Sequence, residues 1–126
     1  MNQGEEKMKK VKEIAEMFLQ CWQEQGWHKM MDCTQLTWKE LQKAPAQRLK
    51  VMFGLMKVKS FEIGKAKQIT DVCWDVKAKV RYRTIRRRYV SSDIVLRVIC
   101  EKGYMKPDVE GTWGVNPLSL FREQNG

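Results

Sequence analysis

Hydrophobic and polar positions change period near residue 57, and the change divides the chain into two stretches of different structure. Before it the spacing is helical. Val11, Ile14, Ala15, Phe18 and Trp22 recur at intervals of three and four, which predicts one apolar stripe on a helix over 5–25. Glu5, Glu6, Lys9, Lys12, Glu13 and Glu16 take the other faces, and Gly26 supplies a stop. WHKMMDC, residues 27–33, predicts one or two further helical turns with Met30 and Met31 turned inward. TQLTW, residues 34–38, is short and partly β-branched and predicts a brief strand. A further helix begins near Pro45, a residue tolerated at the first helical position. Leu49, Met52, Phe53 and Met56 repeat the stripe there, with Gly54 weakening it.

Beyond Lys57 the pattern alternates. KSFEIGKAKQIT, residues 59–70, reads as a strand with Gly64 at a bulge or bend. Val72, Trp74, Val76, Ala78, Val80 and Tyr82 then alternate with Cys73, Asp75, Lys77, Lys79, Arg81 and Arg83. Period two held that long means one buried face and one wet face. DIVLRVICE, residues 93–101, repeats it with Ile94, Leu96, Val98 and Cys100. The apolar members of both runs carry even numbers, so a hairpin whose facing residues sum to an even number puts both sets on one side. KGYMKPD reads as a turn, and GTWGVNP, residues 111–117, as a short closing strand ended by Pro117.

Helices followed by a long-stranded meander predict an α+β fold, with the helices on one face of an antiparallel sheet. Long strands interrupted by a glycine suit a strongly bent sheet. The 126 residues fit one domain with one core, residues 1–4 forming a flexible terminus.

Composition adds two points. Five Trp and eight Met suit an irregular core, or one wrapped round a cavity. The net charge of +9 favours encounter with polyanions, and it also aids solubility. Lys77, Lys79, Arg81 and Arg83 belong to the wet face; Arg86, Arg87 and Arg88 sit at the hairpin tip, and Arg97 joins from the partner strand. Such a stripe reads first as a solvated face that deters edge-to-edge pairing, and alternatively as a binding surface for nucleic acid or an acidic partner. Trp74 and Tyr82 lie on the opposite face, which leaves Tyr89 as the outward ring nearby.

Cys21, Cys33, Cys73 and Cys100 show no C-x-x-C spacing, and His28 is the sole histidine. That set argues against a metal site and for four reduced, mostly buried thiols. No cofactor motif is present. The first ten residues are polar and charged and no apolar run reaches membrane-spanning length, so the expectation is a cytoplasmic protein without a membrane partner.

The first helix, the short element around GWHKMMD, the helix from Pro45 and the meander ending in GTWGVNPLS resemble the nuclear transport factor two-like superfamily. That cystatin-like, cone-shaped fold is shared with ketosteroid isomerases and SnoaL-type cyclases. The resemblance implies helices held in the concave face of a curled antiparallel or mixed sheet, with a pocket between. It would set Phe18, Trp22, Met31, Trp38, Met52 and Met56 against Trp74, Val76, Tyr82 and Leu96. The same residues also read as a filled core. Isomerases of this type use a carboxylate base near the second helix and a tyrosine–acid pair at an oxyanion. Asp32 stands roughly where the base would be, with His28 one turn before it and Tyr82 the only inward donor. The inner faces of both long strands hold no acid, so Asp32 reads better as a helix-end carboxylate and His28 as a surface imidazole. The resemblance also implies a homodimer through the later strands, using Val95, Ile99 and either Thr112 or Trp113. The reading is a non-catalytic domain that binds a small apolar ligand or acts as a dimeric interaction module. Its rivals are the basic-face binder and an isomerase, cyclase or dehydratase centred on Asp32.

Overall fold

A computed structural model describes residues 3–121. Four helices precede the sheet: α1 (Gln3–Glu24), α2 (Trp27–Asp32), α3 (Leu36–Glu40) and α4 (Pro45–Phe53). Strands β1 (Lys57–Thr70), β2 (Cys73–Arg83), β3 (Tyr89–Gly103), β4 (Lys106–Pro107) and β5 (Thr112–Asn116) follow, and a 3₁₀ helix, η1 (Pro117–Phe121), completes the described chain. The α+β class is as expected. The sheet is open and its strands pair antiparallel in the order β1-β2-β3, with β4 and β5 each pairing with β3. The one parallel pairing among the described residues is an isolated bridge between Thr34 and Val115.

The hairpin register follows the parity argument. Cys73 faces Ile99, Trp74 faces Val98 and Val76 faces Leu96, so every facing pair sums to the same even number. Trp74, Val76, Ala78 and Val80 of β2 and Ile94, Leu96, Val98 and Cys100 of β3 are all buried. They form one cluster with Val11, Ala15, Phe18, Leu19 and Trp22 of α1 and with Leu49 and Phe53 of α4. The helices therefore cover the even face, and burial of apolar area there is the main stabilising term. β1 slips register three times against β2, between Val58 and Ser60, Ile63 and Ala66, and Gln68 and Thr70. The middle slip spans Gly64.

Several local expectations need correction. α1 takes in Gln3 and Gly4, which had been assigned to a loose terminus; residues 1 and 2 lie outside the described residues. Its left-handed terminal residue is Gln25, with φ 59°, not Gly26. Gln25 N–H donates to the Trp22 carbonyl and Gly26 N–H to the Cys21 carbonyl, the paired closure of a Schellman end. TQLTW is not a strand. Thr34 makes a single β-bridge, to Val115, and residues 36–40 are helical, with Glu101, far along the chain, accepting the Thr37 N–H in the first turn of α3. The bridge brings backbones so close that a Cβ at Gly114 would collide with the Thr34 carbonyl. α4 ends at Phe53, leaving Met56 in the following turn. The KGYMKPD turn contains the two-residue strand β4, and η1 was not anticipated at all.

Candidate functional site

At the hairpin end of the sheet a cavity of about 310 Å³ opens on the helical side. Trp22 enters it from α1, Phe53 and Met56 from the end of α4, and Tyr82 from β2. Ser92, Asp93 and Ile94 of β3 and Leu120 and Phe121 of η1 complete the lining. The aromatic groups brace one another. Trp22 lies 4.9 Å from Phe53 and 6.3 Å from Tyr82 between ring centroids, and Phe121 stacks on Phe53 at 5.3 Å. The Trp22 indole N–H donates to the carbonyls of Phe53 at 3.2 Å and Met56 at 3.0 Å. The indole N–H thus ties down the end of α4 and the turn that follows it, where the Phe53 carbonyl also accepts from Met56 N–H, and the ring is fixed in orientation. The polar groups lie on the sheet side. Tyr82 Oη is 3.4 Å from Ser92 Oγ, and Asp93 borders the cavity where β5, which pairs only from Arg97 onward, leaves the edge of β3 open.

Of the residues expected to line a pocket, Trp22, Met56 and Tyr82 come together here. Phe18, Trp38, Trp74, Val76 and Leu96 are buried in the continuous core and line none of the cavities described. Trp74 is 3% exposed, and its indole N–H is the one buried side-chain polar atom without a partner among the described residues. Met31 lines a second groove of about 430 Å³ between α2 and α4, together with Trp27 and His28. Met52 packs against the core half-buried. Reasoning from sequence missed Phe53, Ser92, Asp93, Ile94, Leu120 and Phe121 as lining residues. Phe53 and Ile94 already sat in the apolar pattern, and the apolar PLSLF run after the closing strand was the signal for the last two.

The three residues weighed for catalysis are not assembled. His28 is exposed and borders the α2–α4 groove, Tyr82 lines the sheet-end cavity, and Asp32 is exposed and lines neither. No disulfide joins the four cysteines, and Cys21, Cys33 and Cys100 are buried. Burial, helped by the neighbouring Cys21 and Asp32, pushes the Cys33 thiol up to about 11, and burial raises Cys21 and Cys100 as well. Thiols raised above their ordinary value are protonated near neutral pH and poor nucleophiles. No cluster of three or more His, Cys, Asp and Glu placed to hold a metal ion occurs among the described residues. No described helix is long and apolar enough to cross a membrane.

The basic residues separate into two groups. Arg97 forks onto Asp75, with Nε and Nη2 donating to the two carboxylate oxygens at 2.8 and 3.0 Å. Lys79 lies opposite Glu62 on β1 and Asp93 on β3, 4.0 Å from the latter carboxylate. Lys77 borders an outer groove of about 360 Å³ opened by the register slip at Gly64. Arg81, Arg86, Arg87 and Arg88 are exposed and Arg83 half-exposed. Further along the outer face, Thr112 points outward opposite Glu101, whereas Trp113 pairs with Cys100 and is buried; Val95 and Ile99 are half-buried. A scan of protein-family models and a search of curated proteins each returned no match to this chain.

Proposed function

We propose that the chain is a non-catalytic domain of the nuclear transport factor two-like, cone-shaped type that holds a small apolar or aromatic molecule in the sheet-end cavity. What carries the reading is the packed pair of Trp22 and Tyr82 in the wall of an aromatic-lined hollow of about 310 Å³. That size lies at the lower end of the range of about 300–1,000 Å³ typical of small-molecule sites, and suits a ligand of one or two rings. The Ser92 and Tyr82 hydroxyls supply hydrogen-bonding partners on one side and so fix which way a polar substituent points. A ligand that binds only the folded state raises its stability by mass action. Thermal-shift screening with one- and two-ring compounds should therefore yield a raised melting temperature, abolished by Ser92→Leu, which fills the cavity from the sheet. No stabilising compound, or stabilisation that survives Ser92→Leu, would overturn the reading.

The half-buried Val95 and Ile99 beside Thr112 favour a homodimer through the later strands, because cations crowd the earlier ones. Sedimentation of Val95→Lys against the unmodified protein tests this; a monomer in both would exclude it.

A further inference from the structure

We infer that the outer face at the hairpin end of β1, β2 and β3 binds single-stranded nucleic acid, with Tyr89 as the base-stacking ring. Residues 57–61 and 80–92 carry Lys57, Lys59, Arg81, Arg83, Arg86, Arg87 and Arg88 and not one Asp or Glu. Further along the same face acids stand among the cations, Glu62 and Asp93 beside Lys79 and Asp75 beside Arg97. Solubility alone calls for no such segregation.

Strand pairing sets Lys57, Arg83 and Tyr89 in one row across three strands, with Ser60, Arg81 and Ser91 in the next. Tyr89 is 50% exposed. The Arg81 guanidinium carbon lies 5.0 Å and Lys59 Nζ 5.9 Å from its ring centroid. An exposed ring on a sheet can stack an unpaired base, and the cations over its face, displaced by that base, are then placed to meet its phosphates. Duplex DNA hides its base faces and gives Tyr89 nothing to stack on.

The hairpin tip supplies a second observation. Arg87 adopts φ 59° and closes the turn, its N–H donating to the Thr84 carbonyl, while Thr84 N–H donates to the Arg88 carbonyl. A three-residue loop of this form normally places glycine or asparagine at its left-handed position. An arginine there carries strain, and strain persists most often where the side chain has work to do. Five of the seven cations are arginines, whose planar forks grip phosphate at two points.

Fluorescence anisotropy with labelled single-stranded RNA and DNA, the matching duplex, and polyglutamate as competitor tests the inference. Single strands should bind more tightly than duplex. Their affinity should fall with salt along a log–log slope between about −3 and −5, as expected for four to seven neutralised phosphates. Tyr89→Leu should weaken binding roughly tenfold and Tyr89→Trp should preserve it. Reversing Arg86, Arg87 and Arg88 to glutamate should weaken it about a hundredfold or more. The single change Arg86→Gln, too mild to disturb the hairpin, should weaken it several-fold, and Arg97→Gln should leave it unchanged. Absence of binding at low salt, equal affinity for duplex, or indifference to Tyr89→Leu would overturn the inference. Competition by polyglutamate as effective as by unlabelled oligonucleotide would reassign the face to an acidic protein.

Discussion

Glu101 on β3 holds Thr37 at the start of α3. Its carboxylate accepts the Thr37 backbone N–H at 3.0 Å and the Thr37 hydroxyl at 2.6 Å, and the same hydroxyl accepts from Met105 N–H at 2.8 Å. A carboxylate only 2% exposed loses its hydration, and these bonds to a helix start offset that loss. Glu101→Ala should cost about 2–4 kcal/mol, because the Thr37 donors are left buried without a partner. Thr37→Val should cost about 1–2 kcal/mol, and the double variant less than the sum. Urea unfolding of the three variants measures the coupling; strict additivity would mean the contact contributes nothing as a pair.

Two buried indoles should respond differently to the same substitution. The Trp22 N–H donates to the Phe53 carbonyl at the end of α4 and to the Met56 carbonyl in the turn after it, whereas the Trp74 N–H has no partner among the described residues. Trp22→Phe abandons acceptors that Trp74→Phe never had. Thermal melts should show the former costing at least about 1 kcal/mol more than the latter. Equal costs would show that packing area alone governs both sites.

At the hairpin tip, Arg87→Gly should stabilise the fold by up to about 1 kcal/mol, since glycine accepts φ near 59° without a Cβ clash. The gain is limited by glycine's greater freedom in the unfolded chain. Denaturant titration gives the sign, and a loss of stability would mean the arginine makes contacts that outweigh its backbone strain.

The Cys33 thiol predicts a decline at high pH. Its folded pKa of about 11 lies above the ordinary 9.0, because burial disfavours the thiolate. Below pH 9 both states hold the proton and the shift has no effect on stability. Between about pH 9 and 11 the unfolded chain releases the proton first, so stability falls there by about 2–3 kcal/mol. Cys33→Ala should flatten that part of the pH profile, measured as ΔG from urea unfolding, without changing its shape below pH 8. An unchanged slope from pH 9 to 11 would assign the decline to other groups.

What could be read in advance was whatever depends on period. The two faces of β2 and β3 and their register came from parity alone, because an even-sum hairpin leaves only one side for Trp74, Val76, Leu96 and Val98. What depends on a distant partner stayed hidden. The threonines of TQLTW suggested a strand, whereas residues 36–40 form a helix whose first turn is held by Glu101, brought up by the sheet. Arg97 was placed in the basic stripe, although the same register sets it opposite Asp75. The site suffered most. Its pocket was spread along the whole inner face, whereas Phe18, Trp38, Val76 and Leu96 fill the core and the hollow gathers at one end under η1, which the alternating pattern could not announce.

The most direct test of the cavity is a titration of isotope-labelled protein with a stabilising one- or two-ring compound, following the five tryptophan indole N–H resonances by NMR. Trp22 should shift in step with binding while Trp74, sealed in the core, holds still. Movement of Trp27, which lines the α2–α4 groove, with Trp22 unmoved would place the ligand elsewhere and contradict the assignment.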